Sequence, residues 1–224
     1  MRDYEEFPDS VSLNALFYIG NPSNINEETL KRIHSRFTQE KHFFSLERLV
    51  KGDEKAVVLF GERQMREQFP ELSLVEIEDY VGEVNLLAGD GNDKTVDVNQ
   101  AISWLIEPKS DPKKLLTIGD EFRDLKVGKD QKVFVQVILM PSERAGETVF
   151  QATIRVLVAD PDPVSRVALA KSTNDLVMRA TGLKKHDDNF PEGKKFESFK
   201  QRSFIPKEVS EFTLTTQEVL DILS

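Results

Sequence analysis

The residues most able to bind a metal or move a proton are scattered along this chain rather than grouped. The histidines are His34, His42 and His186, and no two of them are spaced to share one face of a helix. A zinc site of the His-Glu-x-x-His type needs such a pair, and a lone histidine at the surface or at a sheet edge is the default interpretation. The chain also contains no cysteine, which excludes disulfides and thiolate metal sites. We therefore predict neither a bound metal nor a catalytic histidine.

One acidic loop carries oxygen ligands of the kind that calcium prefers, at Asp90, Asn92, Asp93 and Asp97. An EF-hand that begins at Asp90 needs an oxygen ligand at its fifth position, where this chain has Lys94. The shorter acidic run 187–189 is an equally weak candidate for a calcium site. Glycine, asparagine and aspartate at this density are typical of a solvated loop, which is the favoured interpretation.

The same loop contains the nearest approach to a phosphate-binding sequence. A phosphate loop requires a glycine, four further residues and then Gly-Lys-Ser/Thr, whereas the run 88–95 has Ala88 and Asp93 where glycines are needed. Asp93 would face the phosphates, and the loop precedes a predicted strand rather than a helix whose N-terminus could bind them. The sequence therefore predicts no nucleotide and no other cofactor.

Carboxylates also recur along one predicted strand, at Glu76, Glu78 and Asp79. Paired carboxylates can exchange protons with a substrate in a cleft, but a solvated sheet face or a sheet edge guarded by charge is the favoured interpretation. Ser10 and Ser142 lack the context of a nucleophile elbow. We therefore predict that the chain is not an enzyme, which leaves open only a site assembled in three dimensions from distant residues.

A basic segment contrasts with the charge of the whole chain. Between Lys184 and Lys207 there are seven cations and four acids, a balance of +3 within a chain of net charge −9. The candidate contacts for a partner or a nucleic acid are Lys184, Lys185, Lys194, Lys195, Lys200 and Arg202. Phe196, Phe199 and Phe204 lie among them and could stack bases. The favoured interpretation is that these rings anchor a long loop to the core, because an acidic chain repels polyanions.

These residues are positioned by a chain whose centre is a long hairpin. In 131–141, Val133, Val135 and Val137 alternate with larger or polar residues, and this period of two indicates a strand closed by Pro141. Residues 149–158 alternate in the same way, and a polar connector joins the two runs. We predict an antiparallel hairpin over 131–158 at the centre of a sheet.

The order of the predicted elements indicates the fold class. Strand, helix and strand recur three times and are followed by a last strand and helix, an order that fits split βαβ units. We predict an α+β fold of ferredoxin-like units, with mostly antiparallel sheets and helices packed on one face, arranged in tandem. The predicted lobes are residues 1–90 and residues 96–224, the second built on the 131–158 hairpin, with a linker near 87–96.

Local signals set the boundaries of several elements. Asn26 is placed to cap a helix, and the run 215–218 is a capping box that opens the last helix. We predict a helix over 61–69, stopped by Pro70, and a strand over 72–80. Asp-Pro pairs start two further helices, at 111 and at 162, and the second of these runs to Thr181.

Bulk properties indicate where the chain acts. Its pI of about 5.0 argues against a dedicated nucleic-acid binder. No apolar run approaches the roughly 20 residues needed to cross a bilayer, and the acidic residues 1–6 lack the apolar core of an export signal. We therefore predict a cytoplasmic protein, which could reach the inner face of the membrane through a partner.

Residues 66–80 resemble a pattern in the region that precedes the motor of type IV secretion and conjugation-like ATPases. In that pattern a helix ends at an aromatic-proline pair, here Phe69-Pro70, and the next strand ends at an Asp-Tyr pair, here Asp79-Tyr80. The order of several such segments carries the resemblance.

Three further segments follow in the family's order. The strand 135–141 resembles the family's apolar strand closed by proline, and 154–156 resembles the strand after it. Residues 214–223 resemble the segment just before the nucleotide-binding domain. The resemblance runs from Ser45 to the end of the chain.

The resemblance implies a non-catalytic interaction domain, because the motor that would carry any ATPase activity has no counterpart here. Its expected partners are proteins: subunits of a secretion or DNA-transfer machinery, its own motor, or further copies of the chain. The alternative is a nucleic-acid-binding accessory protein that uses the basic segment 184–207.

Overall fold

A computed structural model of the chain describes residues 14–40, 42–81, 102–106, 125–144, 146–181, 184–185, 199–202 and 212–223. The strands in these ranges are β1 (Asn14–Ile19), β2 (Phe44–Lys51), β3 (Glu54–Glu62), β4 (Leu74–Ile77), β5 (Ile102–Ile106), β6 (Lys132–Arg144), β7 (Glu147–Ala159), β8 (Lys184–Lys185) and β9 (Phe212–Thr215). The helices are α1 (Glu27–Glu40), α2 (Met65–Gln68), α3 (Pro163–Thr181) and α4 (Thr216–Leu223). Short 3-10 turns occupy Pro22–Asn24 and Pro70–Leu72.

All of these strands belong to one antiparallel sheet in the order β4-β1-β3-β2-β6-β7-β5-β8. β9 also pairs with β7, next to the stretch of β7 that pairs with β5. The predicted hairpin is confirmed as β6 and β7, which pair along their full length from Lys132↔Ala159 to Arg144↔Glu147. The predicted α+β class with an antiparallel sheet is confirmed as well.

The sheet consists of two halves with the same internal strand order. In each half the fourth strand lies outside, followed by the first, the third and the second, so that β4-β1-β3-β2 is matched by β8-β5-β7-β6. The halves meet where β2 pairs with β6, from Phe44↔Leu139 to Lys51↔Lys132. Strands from both predicted lobes therefore share one sheet, while the predicted linker at 87–96 and the predicted helix start at 111 lie outside the described residues.

Helices cover one face of this sheet, which we call the helical face. Its core contains the valines of β6 at 133, 135 and 137, together with Phe150 and Ile154 of β7. Leu30, Ile33 and Phe37 of α1 pack against it, and α3 and α4 contribute Val177 and Val219. The alternation of apolar residues along β6 and β7 thus buries one side of both strands under the helices. None of the described helices has the length and apolar character needed to cross a membrane.

The opposite side of the sheet, which we call the polar face, holds a smaller apolar cluster around a set of charged residues. Leu16, Val58, Phe134 and Leu157 belong to this cluster, as does Phe199 from the predicted basic segment. Period-2 alternation places Ser45, Glu47 and Leu49 of β2 on this face, because their neighbours Phe44 and Leu46 are part of the helical-face core.

Two local predictions need correction. The helix predicted over 61–69 is reduced to α2, because β3 continues through Gly61 and Glu62 to pair with β1. The strand predicted over 72–80 is reduced to β4, since residues 78–80 leave the sheet and Tyr80 turns onto the polar face.

Both capping predictions are confirmed. The Asn26 side chain accepts a hydrogen bond from the backbone N–H of Thr29 at 2.9 Å, which caps α1. Thr215 and Glu218 make the reciprocal pair of a capping box at α4, with donor–acceptor distances of 2.7 and 3.2 Å. The helix predicted to start at Asp162-Pro163 is observed as α3.

Candidate functional site

The histidines occupy separate places within the described structure. His34 is buried on α1, where Nε2 lies 2.8 Å from the Ser142 carbonyl and 3.1 Å from the Val149 carbonyl. Because carbonyls only accept, Nε2 carries the proton and ties α1 to the β6–β7 hairpin. His42 is exposed and pairs with Glu62, and His186 lies outside the described residues. His34 therefore has a structural role.

The predicted row of carboxylates is divided between different partners. Glu76 forms an exposed ion pair with Arg63 at 2.8 Å, whereas Asp79 pairs with Arg202. Across the described ranges no group of three or more His, Asp or Glu side chains is arranged to hold a metal ion. The acidic loop at 90–97, the run 187–189, the phosphate-loop variant at 88–95 and Ser10 all lie outside those ranges.

The candidate contacts of the basic segment are only partly described. Lys184 and Lys185 form β8 at one end of the strand order, Lys200 is exposed, and Lys194 and Lys195 lie outside the described residues. Arg202 differs from the expectation, because its side chain is 2% exposed and is engaged by two carboxylates. It therefore does not offer its guanidinium to an external partner.

Arg202 belongs to a group of polar residues, buried except for Asp79, that we call the polar cluster: Ser45, Glu47, Asp79, Tyr80, Gln136, Arg155 and Arg202. Glu47 lies at its centre with no exposed surface. Its carboxylate accepts hydrogen bonds from the hydroxyls of Ser45 and Tyr80. Arg202 Nε donates to the same carboxylate at 2.8 Å, and Gln136 Nε2 donates at 3.3 Å. These four donors satisfy a carboxylate that has no contact with solvent.

Arg202 joins two segments that lie outside the sheet, residues 78–80 and residues 199–202. Its Nη1 and Nη2 donate to the two Asp79 oxygens at 2.9 and 3.1 Å, a bidentate pair. The guanidinium also lies 4.9 Å from the centre of the Phe60 ring and 5.5 Å from that of Tyr80. Arg202 has a φ of 51°, in the left-handed region that is strained for a residue with a side chain. These contacts hold a backbone conformation that is otherwise unfavourable.

Gln136 connects Glu47 to the second buried arginine. Its amide oxygen accepts from Arg155 Nη1 at 3.2 Å, while its Nε2 donates to Glu47 and to the Phe199 carbonyl at 3.3 Å each. The register places Glu47 opposite Gln136 and Gln136 opposite Arg155 across three adjacent strands. Glu47, Gln136 and Arg155 thus form one cross-strand row, which crosses the junction of the two halves of the sheet.

Burial and charge shift the pKa values of the cluster in different directions. Burial by itself raises the pKa of Asp79, but the hydrogen bonds and charge of Arg202 outweigh it and lower that pKa below its ordinary value. Burial and the neighbouring Glu47 carboxylate raise the pKa of the Tyr80 hydroxyl well above its ordinary value. Burial lowers the pKa of Arg155 to about 9, and the charge of Glu47 opposes this effect. At neutral pH Asp79 is therefore a carboxylate, Tyr80 is neutral and Arg155 is a guanidinium cation.

The hydrogen bonds and ion pairs of the polar cluster hold distant segments of the chain together. The carboxylate of Glu47, the natural candidate for an acid or base, is already occupied by four donors from within the chain. Sequence reasoning missed Glu47, Gln136, Arg155 and Tyr80. The available signal was a charged residue within an apolar strand, such as Arg155 between Ile154 and Val156, which indicates a buried partner of opposite charge.

Replacing Tyr80 with Phe tests the electrostatics of the cluster. At neutral pH the variant should lose about 1.5–3 kcal/mol of unfolding free energy, the contribution of a hydrogen bond to a charged group. The folded pKa of Tyr80 is raised, so this contribution is complete below the ordinary tyrosine pKa of about 10. It declines as the pH rises above that value, because the unfolded chain releases the proton and the folded chain retains it.

Urea unfolding of the wild type and the Tyr80→Phe variant at neutral and alkaline pH measures this difference. The gap between them should narrow on the alkaline side. Tyr18→Phe is the matched control, since Tyr18 is 42% exposed and its variant should differ little from the wild type at either pH. A gap for Tyr80→Phe that stays constant with pH would show that Tyr80 does not titrate as described.

Comparisons with protein families, with curated proteins and with solved structures find no match for the chain.

Proposed function

We propose that the chain is a non-catalytic interaction domain of the kind that precedes the motor in type IV secretion and conjugation-like ATPases. The observation that carries this proposal is the convergence of the resembling segments on the polar cluster. Asp79 and Tyr80 come from the first segment, Gln136 from the second and Arg155 from the third. Motifs that meet in space are expected to specify one fold, which strengthens an argument that rested on their order alone.

The fold proposed with this function is a tandem of two ferredoxin-like units. The order β4-β1-β3-β2 with α1 between β1 and β2 supports the first unit, and β8-β5-β7-β6 with α3 after β7 supports the second. The two units would share one sheet through the pairing of β2 with β6. A broad sheet of this kind offers rigid surfaces on which partner subunits can dock.

The distribution of charge in the core supports a scaffolding role. Glu47 and Asp79 form ion pairs with Arg202, and Gln136 donates a hydrogen bond to the Phe199 carbonyl. These contacts hold part of the predicted basic segment against the sheet. β9 and α4, which match the segment before the family's nucleotide-binding domain, are attached to β7 beside the central hairpin. We infer that a motor or another partner subunit would be positioned from this side of the domain.

The proposal predicts that the purified chain neither binds nor hydrolyses nucleotide but forms a complex with a motor. ATP turnover should equal a buffer blank, because the chain has no phosphate loop. Isothermal titration with a purified conjugation-type ATPase motor should give saturable binding, with an unrelated acidic protein as the control. ATP hydrolysis that accompanies saturable nucleotide binding would remove the proposal, as would the absence of any complex with the motor.

A nucleic-acid-binding accessory protein is the second candidate. The excess of cations between Lys184 and Lys207 favours it, and Lys200 is exposed as such a role requires. The burial of Arg202 in ion pairs removes one of its contacts, and Phe199 is fully buried rather than free to stack on a base. We therefore rank this candidate below the interaction domain.

A further inference from the structure

β4 lies at one end of the strand order and exposes an apolar side chain there. Among the strands of the described ranges it has a paired neighbour, β1, on one side only. Val75 of β4 is 57% exposed, and Tyr18, directly opposite it on β1, is 42% exposed. In the described part of the chain only two other large apolar side chains are exposed, and both lie on α3. The exposed apolar surface of the sheet itself is therefore concentrated at this edge.

These two side chains continue an apolar row that begins in the core. Tyr18 pairs on its other side with Val58 of β3, which is 1% exposed and belongs to the apolar cluster of the polar face. In the next row Leu16 and Ile77 pair across the same two strands and lie in or against that cluster. Side chains that are paired across strands in this way share one face of the sheet. Burial of Val75 would require one more strand beside β4.

The charges near this edge do not protect it from pairing. Natural proteins commonly prevent contact between sheet edges with charged side chains on the edge strand. Glu76, the charged residue of β4, alternates with Val75 onto the opposite face of the sheet, where it forms an ion pair with Arg63 at 2.8 Å. Glu78 is exposed but follows the end of the strand, and Asp79 belongs to the polar cluster. The outer side of β4 therefore combines backbone pairing groups with an exposed apolar side chain.

We propose that β4 pairs with β4 of a second copy of the chain across a two-fold axis, which makes the sheets of the two copies continuous. A two-fold axis at this edge makes the paired strands antiparallel, as the strands of the whole sheet are. The chain already contains a junction of this type, because its two halves of equal strand order meet by antiparallel pairing of β2 with β6. The inference names a partner beyond the proposed motor, and it does not depend on binding to that motor.

The side chains of β4 select one register for the pairing. With the axis at Val75, the Val75 side chains of the two copies lie directly opposite each other, and Glu76 lies opposite Leu74. An apolar row then runs from Tyr18 of one copy through both valines to Tyr18 of the other. An axis at Glu76 would instead place two carboxylates opposite each other, which destabilises a sheet. The register centred on Val75 keeps these carboxylates apart and covers the exposed apolar side chains.

The short length of β4 limits the strength of the contact. The strand spans Leu74–Ile77, so the pairing buries less than the roughly 800 Å² per partner of a stable interface. We therefore expect a weak dimer whose population rises with protein concentration. A two-fold pair closes at two copies, whereas pairing of β4 with β8, at the other end of the strand order, would continue into longer assemblies.

The substitution Val75→Lys separates association from folding. In the proposed register each new lysine would face the same lysine of the other copy, and like charges directly opposite each other oppose pairing. The dissociation constant of the dimer should rise by about tenfold or more. The melting temperature should stay close to that of the wild type, because Val75 is 57% exposed.

Val164→Lys is the matched control. Val164 is 79% exposed on α3, which packs against β7 and β8 toward the other end of the strand order. The control makes the same change of side chain and of net charge as Val75→Lys, so only an effect local to β4 distinguishes the two variants. It should associate as the wild type does.

A charge swap at the axis tests the register. Val75→Glu, like Val75→Lys, should be monomeric when it is alone, because equal charges would meet across the axis. An equimolar mixture of the two variants places opposite charges opposite each other, so the mixture should associate again. A loss of association caused by misfolding would not be restored by mixing.

Sedimentation equilibrium over a series of protein concentrations measures association. We expect a monomer–dimer equilibrium for the wild type and for Val164→Lys, monomers for each Val75 variant alone, and dimers for their mixture. The proposal is overturned by a wild type that stays monomeric up to about 1 mM, the weak end of specific affinities. Equal weakening by Val164→Lys, a mixture that stays monomeric, or assemblies larger than a dimer would also overturn it. A chain that binds a motor after any of these outcomes retains its proposed function, and a dimer that binds no motor retains only this contact.

Discussion

Replacing Glu47 with Gln is expected to lower the free energy of unfolding by about 3–5 kcal/mol, the typical cost of removing one partner from a buried ion pair. Glu47 is fully buried and faces Arg202 directly, with Arg155 connected to it through Gln136. Without its carboxylate, the buried Arg202 guanidinium would lose its ion pair at 2.8 Å and keep the one with the partly exposed Asp79. Glutamine preserves the shape of the side chain, so the loss reports charge rather than packing.

Removing the other partner of the ion pair, by Arg202→Met, should lower the free energy of unfolding by less than Glu47→Gln does. The Glu47 carboxylate would keep the hydroxyls of Ser45 and Tyr80, the amide of Gln136 and the charge of Arg155. Methionine also retains much of the apolar contact that the arginine side chain makes. This asymmetry identifies Glu47, rather than Arg202, as the residue on which the cluster depends.

Urea unfolding of the two variants and of the wild type at neutral pH measures both effects. Glu54→Gln is the control, because Glu54 lies on the same face at an exposed position and should change the stability by less than about 0.5 kcal/mol. A loss below about 1 kcal/mol for Glu47→Gln would mean that the buried guanidinium groups are solvated in some other way, and the account of the polar cluster would then fail.

The sequence was sufficient for the elements whose signals are local. The alternation along 131–158 predicted the β6–β7 hairpin, Asn26 predicted the start of α1, and the capping box predicted that of α4. In each case the atoms that stabilise the element lie close together in the chain, or repeat at the period of one secondary structure. Propensity and capping rules are therefore enough to find them.

The polar cluster escaped prediction because its contacts are long-range. Glu47 and Arg202 are 155 positions apart, and nothing within either segment indicates the other. For the same reason Arg202 was predicted to lie among the surface cations, since its neighbours in the chain include lysines and other polar residues. The burial of Phe199 agrees with the favoured interpretation that phenylalanines anchor this segment, but that pattern does not reveal which carboxylate receives the arginine. Predicting that contact requires the strand order, which places β2 next to β6.

Strand order also explains why two boundary predictions were wrong. We predicted a helix over 61–69, stopped by Pro70, but Gly61 and Glu62 extend β3 and pair with β1. Asp79 and Tyr80 continued a strand pattern in the sequence, yet both make more favourable contacts with Arg202 and Glu47 than they would make at a sheet edge. Tertiary contacts therefore override local preference at the places where distant segments are joined.

Replacing Phe150 with Ala should lower the free energy of unfolding by about 3–5 kcal/mol, the usual cost of a large cavity in a well-packed core. Phe150 is fully buried on the helical face and lies edge-on to His34 of α1 and to Phe44 of β2, with ring centroids 5.2 and 5.9 Å away. The register also places it opposite Leu214 of β9. The Phe150 side chain therefore joins α1, the central strands and β9, where the segment begins that resembles the region before the family's nucleotide-binding domain.

This position predicts an effect on dynamics as well as on stability. Loss of the ring removes apolar contacts that hold β9 and α4 to β7. Relative to the wild type, hydrogen exchange of the backbone amides in 212–223 should therefore accelerate more than exchange at the junction of β2 and β6. Urea unfolding and hydrogen exchange on the same samples measure both effects. The control is Val75→Ala on β4, which is 57% exposed and should leave stability and exchange in 212–223 close to wild type. If Phe150→Ala destabilises the fold but exchange in 212–223 is unchanged relative to the junction, then β9 and α4 are held by other contacts, and the inference that a motor is positioned from this side of the domain loses its support.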